Sequence, residues 1–417
     1  VLFPFLFGIM FGDVGHGALL TIFALALIAF EERIGKMALD DIGSMCFGGR
    51  YILLMNGLFA IYVGFLYNEC FAVPMDLFGT RVLSDDPDAG VYPFGIDPVW
   101  HHSTNKIAFF NSYKMKLSIV VGVVHMFLGI CCSLLNHIEF KSTVSIVFEF
   151  VPEVIFFLSI FGYLVFMILL KWGTVWAGGN GPMILNVLIG MFMSPGTLTE
   201  VPLFPGQAQV QLLLVALALV SVPLMLFPKP IIQYRQQMAI RAAAARSHYT
   251  MMAPDAEHGT GPMNPAAERG AGGGGAEEDE EEYSFTDEFV HQVIHTIEFV
   301  LGSISNTASY LRLWALSLAH SQLSELFWEK VMVGFALTIG PSENAVLASV
   351  KPFVFTVVWL ILSFAVLMVM ENLSSFLHAL RLQWVEFQNK FYSGTGHAFI
   401  PFSYKSIDKP NTGDDDM

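Results

Sequence analysis

The chain has 417 residues, 54% of them hydrophobic and 14% charged, with a mean hydropathy of +0.58, which is too apolar for a soluble domain and marks a membrane protein. The formal charge of −15 is not a diffuse acidic surface, because Glu277–Glu282, Asp287, Glu288 and Asp414–Asp416 hold eleven of the 36 acids in short segments. No basic patch interleaved with aromatics is present, which excludes nucleic-acid binding, and no GxxxxGK[ST], HExxH or GxSxG motif occurs, so neither ATP hydrolysis within the chain nor a cofactor is expected.

In chain order, hydrophobic runs predict a partial first span near 1–12, then spans near 15–31, 51–69, 117–136, 144–170 and 207–228, and two longer segments near 286–330 and 352–392. The expectation is an all-α membrane protein of about eight transmembrane helices. The chain opens on Val1 inside an apolar run, which reads as a fragment with its first span truncated. Residues 1–228 thus carry six spans, with loops at about 70–116 and 171–206. The stretch 229–285 is rich in Gly, Pro, Ala and acids and reads as a largely disordered acidic loop. Lys229, Arg235, Arg241 and Arg246 follow span six closely, which places that loop in the cytosol and the 70–116, 171–206 and 331–351 loops on the far side. The 401–417 tail is then cytosolic. Cys46, Cys70, Cys131 and Cys132 lack metal-ligand spacing and read as free thiols, and the His101–His102 pair has no second ligand cluster near it in sequence.

The last two segments, domain 286–400, carry the chemistry. Residues 286–330 and 353–400 contain no proline, whereas Pro341 and Pro352 punctuate the stretch between them, so each reads as one unbroken helix and the two as an antiparallel hairpin. Forty helical residues extend about 60 Å, roughly twice the hydrocarbon thickness, so the pair must tilt strongly or project beyond it. Glu371, Ser374, His378 and Arg381 share one face by their 3-4-3 spacing. Glu298, Gly302, Ser305, Ser309 and Arg312 share a face of the partner helix by 4-3-4-3 spacing. Counted from a hairpin centre near Ala345, Arg312 and Arg381 fall at similar depth, His320 and Glu371 form a second layer, and Glu298 lies on the cytosolic side. Each serine has the alternative of bonding back to its own helix, and Arg381 that of a snorkelling anchor. Arg312 has no such escape: membrane insertion of arginine costs about 3 kcal/mol or more and it cannot discharge by losing a proton.

The segments FGDVGHG (11–17), HTIEFVLGSISNTASYLRLWALSLAHSQLSELFW (295–328) and LRLQWVEFQNKFY (380–392) strongly resemble the membrane half of the a subunit of the eukaryotic vacuolar-type proton ATPase. That resemblance implies a static proton-conducting subunit beside a rotating proteolipid ring whose members each bear a lipid-embedded carboxylate. Arg312 would be the essential arginine facing the ring and Arg381 its neighbour, with Ser305 and Ser309 on the path. Glu298 would serve the cytosolic half-channel, and His320, Glu371, Ser374 and His378 the luminal one, with Asp13 and Glu69 lining the latter. Implied partners are the ring, other membrane-sector subunits, membrane lipids, and peripheral stalks and the ATP-hydrolysing sector through the missing N-terminal part. The implied location is an acidified endomembrane or the plasma membrane. Gly302 stands where some members carry Asn. A self-contained proton-coupled transporter and a structural membrane anchor are the alternatives.

Overall fold

The structure is a computed structural model that describes residues 1–37, 40–82, 90–176, 179, 181–252, 285–336 and 345–394. Most of these residues are helical; the one sheet among them is an antiparallel hairpin in which Glu69 pairs with Pro74 and Cys70 with Val73. Helices Arg50–Tyr67, Lys106–Glu139, Thr143–Gly173, Gln207–Ala244 and Ser349–Lys390 are long and apolar enough to cross a membrane, and Val14–Ala29 and Ile184–Met193 are shorter apolar helices.

The N-terminal group is built on close backbone approach. Helices α1 (Leu2–Met10) and α2 (Val14–Ala29) are separated by a short turn, and both pack on α3 (Arg50–Tyr67). A Cβ at Gly64 would meet the Val14 nitrogen at 2.4 Å, and one at Gly57 the Thr21 hydroxyl at 2.4 Å. Glycine is what lets α2 and α3 touch at that range, as small residues do wherever membrane helices lack a hydrophobic drive to associate. α3 stops at Asn68, which takes the left-handed conformation (φ 56°) that Asn tolerates. The chain then turns into the Glu69–Pro74 hairpin.

Helices α4 (Lys106–Glu139) and α5 (Thr143–Gly173) form the central pair, and the main core gathers Phe7, Phe11, Tyr67, Met126, Phe157 and Tyr310 between α1, α3, α4, α5 and the later helices. A second core lies between the end of α5, α6 (Ile184–Met193) and α7 (Gln207–Leu226). There the Tyr163 hydroxyl accepts from Gln207 Nε2 and Gln211 Nε2, both at 3.1 Å. The 171–206 stretch, read from sequence as a loop, thus holds an apolar helix. Likewise the start of the 229–285 loop is helix α8 (Pro228–Met252), while 253–284 lies outside the described residues.

The C-terminal segments depart from two unbroken rods. The first is α9 (Phe285–Ser309), a turn at Tyr310, α10 (Leu311–Phe327) and a π-helical extension Trp328–Ala336. The second begins at Ala345, so Pro352 lies inside a helix instead of between two. It alternates α and π segments: Ala345–Leu362, π-helical Ser363–Glu371, Asn372–Arg381, π-helical Leu382–Phe387. Pro341 and the 395–417 tail lie outside the described residues. The two segments touch through Trp328 against Trp359 and Phe335 against Phe355, with ring centroids 5.9 and 5.6 Å apart.

Candidate functional site

The FGDVGHG segment folds as a helix start. Asp13 is the N-cap of α2, and its Oδ1 accepts from the backbone N–H groups of Gly15 (2.8 Å), His16 (3.2 Å) and Phe71 (3.2 Å). The first two satisfy donors that any helix N-terminus leaves open, and the third pins the hairpin to the same carboxylate. Gly15 is required because its α-carbon sits against the Phe71 ring, which an added Cβ would meet at 2.4 Å. The His16 ring lies between Phe71 and His320, with centroids 5.0 and 5.1 Å away. From α10, His320 reaches the same place and bonds Glu371 of the last rod, Nδ1 to Oε2, at 2.6 Å. Ser321 beside it donates to Glu69 Oε1 at 2.9 Å. Asp13, His16, His320 and Glu69 are all buried.

A second group surrounds the turn at Tyr310. Leu313 N–H bonds Tyr310 O and Tyr310 N–H bonds Asn306 O, a tightened turn that separates α9 from α10 just before Arg312. Tyr310 is fully buried against Gly122 of α4, where a Cβ would meet its ring at 2.5 Å, and its hydroxyl bonds His125 Nδ1. The anchored tyrosine fixes where Arg312 emerges. Arg312 is half-buried, Arg381 is exposed and Glu386 is buried, each within electrostatic reach of the other two. Among the described residues no carboxylate oxygen lies within 4.0 Å of either guanidinium. Arg312 Nη1 and Glu386 Oε2 are buried without hydrogen-bond partners.

The third group lies where α5, α8 and α9 meet. Lys229 Nζ bonds Glu149 Oε2 at 2.7 Å, and His295 Nε2 is 3.4 Å from Glu149 Oε1. Glu153, one turn on from Glu149, is buried, and Glu298 and Lys390 are within electrostatic reach of the group.

The sequence-derived candidates therefore sort into three places. Asp13, Glu69, His320 and Glu371 meet in the first; Arg312 and Arg381 in the second; Glu298 borders the third. Glu298 and Ser305 lie exposed on α9, and Ser309 bonds back to Ser305 O at 3.1 Å. His378 Nδ1 meets Ser374 O at 2.6 Å and Ser374 Oγ at 3.4 Å, within its own helix turn. The sequence did not mark His16, Glu386, Glu149, Glu153 or His295 as site candidates, and Lys229 entered only as a topology signal. Two of these carried a signal: His16 stands three residues after Asp13, and Glu149 and Glu153 are acids one turn apart in an otherwise apolar span. Outside the spans, burial pushes the His101 imidazole below its ordinary value, and neither it nor His102 belongs to a group of three potential metal ligands among the described residues.

Residues 1–404 match the family described as the V-type ATPase 116kDa subunit family. The chain is 48% identical over 423 residues to the vacuolar proton translocating ATPase 100 kDa subunit of Dictyostelium discoideum, covering 98% of this chain and 49% of that protein. It is 46% identical over 419 residues to V-type proton ATPase subunit a3 of Arabidopsis thaliana (97% and 48%) and 43% identical over 439 residues to V-type proton ATPase 116 kDa subunit a 1 of Mus musculus (98% and 51%). The chain spans about half the length of these curated relatives.

Proposed function

The chain belongs to the V-type ATPase 116kDa subunit family, and from that premise we propose that it is the static proton-conducting part of a rotary pump, working against a partner ring of membrane carboxyls. The observation that carries this reading is the Arg312 guanidinium, half-buried in an apolar helix with no carboxylate oxygen within 4.0 Å among the described residues. A permanent cation there needs an anion from outside the chain. A ring carboxyl is neutral in lipid when protonated and costly when ionised, so it must shed its proton where Arg312 stabilises the carboxylate. The same charge repels a proton moving directly from one side to the other.

In this reading Glu298, 14 residues before Arg312, belongs to the cytosolic half-channel, together with the exposed Ser305 and the half-buried Ser309. His320, eight residues after it, belongs to the luminal half-channel with Glu371, Ser374, His378, Asp13 and Glu69. Along a helix these offsets are about 21 and 12 Å, so proton-carrying groups flank the arginine on both sides. Arg381 is its second cation. The last two helical segments form the antiparallel hairpin of an eight-span bundle, the 229–285 segment faces the cytosol, and the remaining partners are membrane lipids, other membrane-sector subunits, stalks and the ATP-hydrolysing sector. The pump acidifies an endomembrane compartment or works at the plasma membrane.

Replacing Arg312 tests this. In membranes carrying the full-length protein, Arg312→Ala and Arg312→Lys are expected to abolish ATP-driven acidification while assembly, followed by co-purification of the ring, stays normal. Lysine fails because a point charge lacks the planar fork. Full pumping by an assembled alanine variant overturns the proposal.

A further inference from the structure

The most unusual set of unpaired polar atoms lies in the first group. Both ring nitrogens of His16 and the Nε2 of His320 are buried with no hydrogen-bond partner, although His16 is 1% and His320 2% exposed. Buried polar atoms are rarely left so, and such exceptions call for a reason. His16 Nδ1 stands 3.3 Å from Asp13 Oδ2 without the geometry of a hydrogen bond. A carboxylate oxygen of Asp13 and one nitrogen from each imidazole all lie within 4.8 Å of one another. Ligands bound at 2.0–2.2 Å to one tetrahedral zinc ion are about 3.4 Å apart, so the Asp13–His16 pair already has that spacing and small side-chain rotations bring in His320.

The surroundings fit a metal centre. His320 gives its other nitrogen to Glu371 at 2.6 Å, the carboxylate–histidine arrangement that fixes the tautomer and orientation of a metal-bound imidazole. The Asp13 oxygen not facing the histidines is held by three backbone N–H groups, which leaves Oδ2 for a cation. Phe11 and Phe71 wall the histidines. Lys114 is held over the Tyr67 ring at 4.5 Å, with Glu69 its leading electrostatic partner ahead of Asp13.

We propose that Asp13, His16 and His320 bind one divalent transition-metal ion of the zinc class through two nitrogens and one oxygen, with Glu371 as the positioning residue behind His320. Nitrogen and carboxylate donors without sulfur favour such an ion over calcium or magnesium. If the luminal half-channel proposed above is correct, the bound ion occupies the proton-carrying groups and stops translocation. That consequence rests on the proton-path reading; the binding does not.

The test uses the assembled membrane complex containing the full-length chain, stripped with chelator and titrated with Zn2+ alone. Bound zinc is counted by elemental analysis, and its ligands are read by X-ray absorption. Expected are one tightly held ion per chain, an all-nitrogen/oxygen shell, loss of that ion in His16→Phe, and its retention in His16→Cys with a sulfur appearing in the shell. Glu371→Gln is expected to weaken binding about tenfold through the orientation of His320. Should His16→Phe not assemble, His16→Asn serves as the non-binding variant. Equal zinc content in wild type and the non-binding variant, or no tightly held zinc in either, overturns the proposal and leaves Asp13 and His16 as an ion pair. A second arm measures proton movement in vesicles with and without Zn2+, each variant compared with its own metal-free rate. Zinc bound at this shell with proton movement unchanged upholds the metal site and removes it from the proton path.

Discussion

Helix α5 and the last rod, Ser349–Lys390, are both long, apolar and charge-bearing, yet the protein treats them oppositely. In their most apolar stretches 44% of α5 is buried inside the chain and only 17% of the rod. The charges follow the same division. Glu149 of α5 finds Lys229 and His295 within the chain, and Glu149 and Glu153 are each less than a tenth exposed. On the rod, Glu371 is half-buried and bonded to His320, His378 is half-buried, and Arg381 is exposed with no carboxylate oxygen within 4.0 Å among the described residues. Uncovered apolar surface can face lipid, but an uncovered arginine beside it cannot do so cheaply. The closed region completes its own electrostatics; the open one needs a partner to do it.

The sharpest way to break this contrast uses two glycines. At Gly64 a Cβ would sit 2.4 Å from the Val14 nitrogen and 2.7 Å from the Asp13 carbonyl carbon, backbone atoms that cannot rotate away. Gly64→Leu is expected to destabilise the α2–α3 pair by more than about 4 kcal/mol and to prevent accumulation of folded protein, seen as loss of the monodisperse peak in size-exclusion chromatography. At Gly302 an added Cβ meets nothing within 4 Å. Gly302→Leu should fold normally, gaining up to about 1 kcal/mol of helix propensity. If the open face of α9 meets a ring, the same change lowers acidification severely. A Gly302→Leu protein that pumps at the wild-type rate would show that this face touches nothing.

How much of this was legible in the sequence depended on regular period. Glu371, Ser374, His378 and Arg381 lie within or at the edge of the α-helical segment Asn372–Arg381, so 3-4-3 spacing placed them correctly relative to one another. The juxtaposition of His320 with Glu371 followed from equal distances to an assumed centre. The turn at Tyr310 and the π-helical segments at Trp328–Ala336, Ser363–Glu371 and Leu382–Phe387 were not legible, because no proline or glycine pair announces them and a uniform 1.5 Å rise was assumed through them. Pro352 gave a false stop: the helix takes it seven residues after its start. The Glu149–Lys229 contact joins residues 80 positions apart, beyond the reach of any local pattern, and Glu386 owes its burial to the tertiary packing of the rod's end.

A smaller effect sharpens the closed side. Lys229 and Glu149 are 15% and 10% exposed at the side chain and 2.7 Å apart. Lys229→Met leaves Glu149 buried one turn from Glu153, and removing one member of such a pair is expected to cost about 3 kcal/mol. The Lys229→Met, Glu149→Gln double variant should recover most of that, because no uncompensated charge remains. Thermal unfolding of the detergent-solubilised protein measures both. Full additivity of the two single losses would show that the residues do not act as a pair.

The smallest effect separates the two faces of α9 at the level of one hydroxyl. Ser303, fully buried, donates to Phe299 O at 2.7 Å, and Ser309, half-buried, donates to Ser305 O at 3.1 Å. Each hydroxyl is satisfied by its own helix, so Ser303→Ala and Ser309→Ala should each change stability by less than about 1 kcal/mol. They part in function. Ser303 faces the interior and its loss should leave acidification unchanged, whereas Ser309 borders Arg312 on the open face and its loss should slow acidification severalfold if that hydroxyl takes part in the cytosolic path. Equal rates for the two variants would assign Ser309 the same purely helical role as Ser303 and confine the cytosolic path to Glu298 and its neighbours.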